Sequence, residues 1–214
     1  MAADRGFAAT AASAHSGFAR PVFWAKSRLL ICGRLLSDTV GPGRAKRLPR
    51  LALAYADATA LAEDICPLYT ATDPRERELE LGKVQNLRVA ATAIDGILLD
   101  PGTVFSFWRA VGRPTRARGY VVGRELRQGC MIPTVAGGIC QLTNALSRVA
   151  ARAGMEIVER HRHSAAVDGL VIDAATDATV FWNYLDLRFR APRRVRLAAA
   201  LTETDLVVRL DALP

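Results

Sequence analysis

Gly137 and Gly138 lead through Ile139 into Cys140, and that cysteine opens an amphipathic stretch. Ile139, Leu142, Ala145, Leu146, Val149, Ala150 and Ala153 recur at helical spacing, which predicts a helix with one apolar face that stops at Gly154. A thiol in the first turn of a helix sees unpaired backbone N–H groups and the positive end of the macrodipole. Both favour thiolate over thiol, and the thiolate is the nucleophile. The glycines let a substrate approach the backbone without side-chain obstruction. The chemistry that fits is acyl transfer onto sulfur. The competing reading is a buried cysteine packing as a small hydrophobe.

A nucleophilic cysteine needs a base. The chain has three histidines, and His15 lies in the N-terminal tail, which leaves His161 and His163. On a strand, Glu159, His161 and His163 share one face. One of the two imidazoles then meets the thiol; otherwise both are surface residues among Arg160 and Arg162. A third group usually orients the imidazole. Asp177 is the first candidate, Asp186 the second and Glu159 the third. Asp177 also suits a turn at a strand start. Gly137, Gly138 and Gln141 are the candidates for an oxyanion hole, through backbone N–H groups or the Gln141 amide. Ser106, Arg113 and Arg116 offer contacts to an anion, although exposed loop residues would look the same.

These groups need a scaffold. With 214 residues, half of them hydrophobic, the chain can form one good-sized domain, or one with an extension. Residues 1–20 read as a disordered tail without the apolar core of a secretory signal, so no export route is expected. Residues 21–82 read as helical, with helices over 21–36 and 51–63. Apolar positions over 83–98 predict a third helix that ends near Asp95 and Gly96. Short strands are expected over 104–108 and 119–123, then the cysteine helix, a strand over 155–167, a hairpin over 178–190 and a final pair near 195–200 and 206–210. The expected class is α+β: N-terminal helices, then an antiparallel sheet packed on the helix that begins at Cys140.

Composition removes several functions. The net charge is +8, but the basic residues are scattered and form no recognition helix or aromatic RNA-binding motif, so no nucleic-acid partner is expected. No apolar run approaches the roughly 18–20 residues of a membrane span. Cys32, Cys66, Cys130 and Cys140 include no Cys-x-x-Cys pair, so neither a structural metal nor a cofactor is expected. Oligomeric state is not legible.

Taken in order, residues 86–91, 94–96, 101–108, 111–115, 119–120, 137–142, 157–164, 177–180 and 185–189 resemble the VanW family. The likeness runs from about residue 83 to 192, with residues 193–214 as strands completing the domain. It implies bacterial cell-wall and glycopeptide-resistance biology. It also implies similarity to L,D-transpeptidases, which cross-link peptidoglycan stem peptides through a cysteine. Under it, Cys140 is the nucleophile, His163 is its base, followed by Ser164, and Asp177 is the acid; the partner is a peptidoglycan peptide or precursor. Ala136 stands where a third glycine is usual, and Thr143, Asn144 and Ala145 replace a Ser-Thr-Thr run. Cross-linking of this kind takes place outside the cytoplasm, whereas the N-terminus reads as cytoplasmic. A non-catalytic accessory protein that binds cell-wall precursors or a resistance enzyme is the alternative.

Overall fold

In the computed structural model the described residues are 19–40, 49–50, 58–71, 73–127, 130–163 and 175–214. The chain begins with α1 (Ala19–Val40), β1 (Thr59–Pro67) and α2 (Arg77–Ile94). Two short strands, β2 (Leu98–Leu99) and β3 (Val104–Ser106), lead into α3 (Phe107–Val111). A hairpin of β4 (Val122–Arg127) and β5 (Cys130–Val135) precedes α4 (Cys140–Arg152). β6 (Glu156–Glu159), β7 (Arg188–Arg190), β8 (Val195–Leu201) and β9 (Asp205–Ala212) complete it.

Period-two burial builds the main sheet. Val195, Leu197 and Ala199 of β8 and Leu206, Val208 and Leu210 of β9 point inward and are buried. β8 and β9 pair antiparallel, and β1 and β2 flank them in the order β1-β9-β8-β2. A second sheet has the order β3-β7-β6; in it Phe105 faces Phe189, and their rings stack at 4.8 Å. α2 packs on β8 and β4, and α4 packs on β1, β9 and β6. Leu87 and Ile94 from α2 and Leu142, Leu146 and Val149 from α4 fill the space between. A charged clamp fastens α4 to β1: Arg148 donates from Nε and Nη2 to the two Asp64 oxygens, at 2.9 and 2.6 Å. Helices with antiparallel sheets make this an α+β protein, as expected.

Three elements differ from the sequence reading. Residues 51–57 lie outside the described set, but 59–67 form β1 rather than the end of a helix. Pairing with β9 overrides the Ala/Leu-rich local preference there. The expected strand over 104–108 stops at Ser106, whose side chain accepts from Arg109 N and caps α3. α2 begins at Arg77, so residues on both sides of position 82 share one helix.

Candidate active site at the entrance of α4

Backbone geometry sets the approach to the sulfur. Gly138 has φ +93°, and a Cβ there would lie 2.1 Å from Cγ of Lys83. A Cβ on Gly137 would lie 2.3 Å from the Gly123 carbonyl oxygen. Both positions therefore need glycine. Asn86 holds this turn from α2: Nδ2 donates to the carbonyls of Gly137 (3.0 Å) and Val121 (3.1 Å), and Oδ1 accepts from Val121 N (2.9 Å). Asn86 is fully buried. Asn86→Ala should therefore destabilise the fold by about 1–3 kcal/mol for each group left unpaired, a loss read by urea titration. Ala136 sits at φ +66°. A left-handed residue with a Cβ is strained, so Ala136→Gly should gain about 1 kcal/mol in the same titration.

An antiparallel bridge pairs His161 with Thr179, and Thr179 N donates to His161 O at 2.8 Å. Two residues further along each chain, that register sets His163 opposite Asp177. The Asp177 carboxylate accepts from His163 N at 2.7 Å and meets its ring Nδ1 at 2.8 Å. Nδ1 is thereby engaged, which leaves Nε2 as the free ring nitrogen, and interaction with Cys140 acts on the protonation of this ring. Cys140 Sγ also lies 3.6 Å from Thr179 Oγ1. α4 itself fastens the aspartate segment: Thr143 Oγ1 donates to Ala178 O at 2.5 Å, and Asn144 Oδ1 accepts from Ala178 N at 2.6 Å. One helix therefore supplies the sulfur and fixes the chain that carries the carboxylate. Cys140, His163 and Asp177 come together. Interaction with Cys140, the largest cause, and with Asp177 outweighs burial and raises the His163 pKa to about 9, so the ring is an imidazolium at neutral pH.

The other candidates lie elsewhere. His161 Nε2 meets Glu159 Oε1 at 3.0 Å, and Glu159 also pairs with Arg34 and Arg188. Burial works against the Glu159 charge, yet hydrogen bonds from Arg34 and His161 and the charge of Arg188 hold it below the usual carboxylate range. Neither Glu159 nor His161 contacts the Cys140 thiol. Asp186 is buried, and burial pushes its carboxyl up. It accepts from Ser106 Oγ (2.6 Å), Trp108 N (3.1 Å) and Arg188 Nε (2.8 Å), which joins α3 to β7. Ser106 is thus occupied, and Arg113 and Arg116 are exposed. The Gln141 side-chain amide donates to Pro67 O at 2.7 Å and faces Cys66 Sγ at 3.7 Å, so it is turned away from an oxyanion role. Gly137 N donates to Thr134 O at 3.0 Å. Among the described residues, the amides of Gly138, Ile139 and Cys140 find no acceptor. Burial pushes the Cys66 thiol up, and Cys32 is exposed on α1. No described group of three His, Cys, Asp or Glu residues is placed to hold a metal.

The sequence reading missed Thr179, Thr143, Asn144 and Asn86. Asn86 left a signal, a carboxamide beside Val84, Leu87 and Ala90 on an otherwise apolar helix face. Thr179 left none, because its role depends on the bridge to His161.

Residues 82–210 match the family model described as VanW like protein. The chain belongs to the VanW family. All the residues around Cys140 described above lie within the matched span, apart from Cys66 and Pro67 of β1. This VanW-family chain is 30% identical over 139 residues to the Vancomycin B-type resistance protein VanW of Enterococcus faecalis, covering 61% of this chain and 48% of that protein. It is 37% identical over 105 residues to the uncharacterized protein YoaR of Bacillus subtilis, covering 49% of this chain and 34% of that protein. The chain therefore spans between a third and a half of the length of these relatives. No solved structure matches it significantly.

Proposed function

We propose that this chain is a cysteine acyltransferase of the L,D-transpeptidase kind, acting on peptidoglycan stem peptides. One observation carries the reading: the Asp177 carboxylate meets Nδ1 of His163 at 2.8 Å, and interaction with Cys140 is the leading cause that raises the same ring to about 9. The similarity to a protein named for vancomycin resistance supports a cell-wall substrate.

In this reaction the Cys140 thiolate attacks a stem-peptide carbonyl. The amides of Ile139 and Cys140, at the start of α4, donate to the oxyanion that forms. As the C–N bond breaks, the imidazolium gives its proton to the departing amine, and the acyl group remains on sulfur as a thioester. An acceptor amine then attacks the thioester and loses its proton to His163, and sulfur leaves as the thiolate. Asp177 keeps the ring oriented and stabilises its positive charge throughout.

The test is intact-mass spectrometry after acid quenching of the protein with a synthetic stem peptide. The expected product is an acyl adduct on the tryptic peptide containing Cys140, with release of the terminal residue. Unmodified Cys140 and intact peptide after prolonged incubation would remove the proposal and leave the non-catalytic accessory reading.

A further inference from the structure

Lys83 of α2 is 3% exposed, and the chemistry described above does not use it. Lysine is almost never buried this far unless its charge is paired. Here Nζ lies 3.6 Å from Oε1 of Glu80, which also accepts from Thr70 N at 2.6 Å and Ala71 N at 2.9 Å. Arg124 Nη2 stands 3.4 Å from the same oxygen. Burial, the largest cause, and the Arg124 charge push the ammonium down to about 8, so it is still mostly charged at neutral pH. The methylene stem has a separate task. A Cβ on Gly138 would have Lys83 carbons as its three nearest neighbours, with Cγ at 2.1, Cβ at 2.8 and Cδ at 3.0 Å. Gly138 therefore rests directly on this stem. Backbone contacts fix the other half of the turn: a Cβ on Gly123 would lie 2.6 Å from Gly137 O and 2.9 Å from Lys83 N.

We infer that Lys83 is a positioning residue: its stem, anchored at Glu80, holds Gly138 and through it the amides of Ile139 and Cys140 where the oxyanion forms. Its effect on the reaction passes through Gly138, so it is not a catalytic residue. Gly138 O accepts from Gln141 N at 3.1 Å in the first turn of α4, so a displaced Gly138 moves the helix entrance with it. Reacting groups misplaced by about 1 Å can lose roughly 10²-fold in rate. The consequence for rate rests on the acyltransferase proposal; the placement of the amides does not.

The experiment is single-turnover acylation of Cys140 by a synthetic stem peptide, together with amide NMR spectra of the same variants without peptide. Lys83→Ala removes the stem beyond Cβ and should slow acylation by about 10–100-fold, with the half-saturating peptide concentration unchanged. Lys83→Met should restore most of that rate. It keeps an unbranched stem, and Glu80 keeps Arg124 and two backbone amides. Lys83→Leu fills a similar volume but branches at the Cγ that touches Gly138, so it should fold and acylate as slowly as Lys83→Ala. It carries the comparison should Lys83→Ala fail to fold. The amide signals of Gly138, Ile139 and Cys140 should move in Lys83→Ala and Lys83→Leu and return toward wild type in Lys83→Met. Wild-type acylation rates in Lys83→Ala and Lys83→Leu would overturn the inference, as would a Lys83→Met as slow as Lys83→Leu, or amide signals that stay in place. A wild type that forms no adduct removes the acyltransferase proposal instead, and the amide signals then decide the positioning role by themselves.

Discussion

Cys140→Ala is expected to abolish thioester formation and to lower acyl transfer by about 10⁴–10⁶-fold, with little change in melting temperature. The sulfur is partly exposed at the first residue of α4, packs against the edge of the core and lies 3.6 Å from the Thr179 hydroxyl. Losing it leaves Leu142, Leu146 and Val149 packed and the Asp64–Arg148 clamp intact. Stability and chemistry should therefore separate in this variant. Labelling with a thiol-directed electrophile gives a second readout. Cys32 is exposed and Cys130 is a further thiol, so the comparison is made with Cys32→Ser and Cys130→Ser present. In that background labelling should fall to near zero in Cys140→Ala, because burial disfavours the Cys66 thiolate. Undiminished turnover by Cys140→Ala would show that the sulfur is not the nucleophile.

Asp177→Asn is expected to reduce kcat/KM by about 10²–10⁴-fold. The carboxylate accepts from both the backbone and the ring of His163, and it is almost completely buried. A carboxamide keeps the shape, offers one acceptor in place of two, and cannot balance an imidazolium. The His163 pKa should fall from about 9 toward its ordinary 6.5. Less acid form is then present at neutral pH to protonate the leaving amine, and the alkaline limb of the rate profile should move to lower pH. Stability should follow the same group. A histidine whose folded-state pKa is raised contributes stability that is fully present below about pH 6.5 and is lost as pH rises through about 9. In Asp177→Asn that contribution should be smaller, and its loss should be complete at lower pH. Melting curves across this range check it, and a rate profile and melting series that match the wild type would contradict it.

Local patterns made part of this legible in the sequence. The 3.6-residue spacing after Cys140 indicated α4, and Leu206, Val208 and Leu210 indicated β9, because each carries a buried face whose period is visible in one short stretch. The choice among Asp177, Asp186 and Glu159 was not legible. All three precede or occupy extended segments, and only the pairing of His161 with Thr179 sets Asp177 opposite His163. The choice between His161 and His163 was hidden for the same reason, since Glu159 captures His161 through the hydrogen bond between their side chains. β1 was misread because its partner, β9, lies at the far end of the chain, and no local pattern reports that contact. The Gln141 amide looked suited to an oxyanion until β1 brought the Pro67 carbonyl to it.

The account rests on an imidazolium held beside Cys140, and an NMR pH titration of the His163 ring tests this most directly. The account predicts a midpoint of about 9 in the wild type, falling toward 6.5 in Cys140→Ala, where the interaction with sulfur is gone. A wild-type midpoint near 6.5, unmoved by that substitution, would contradict it.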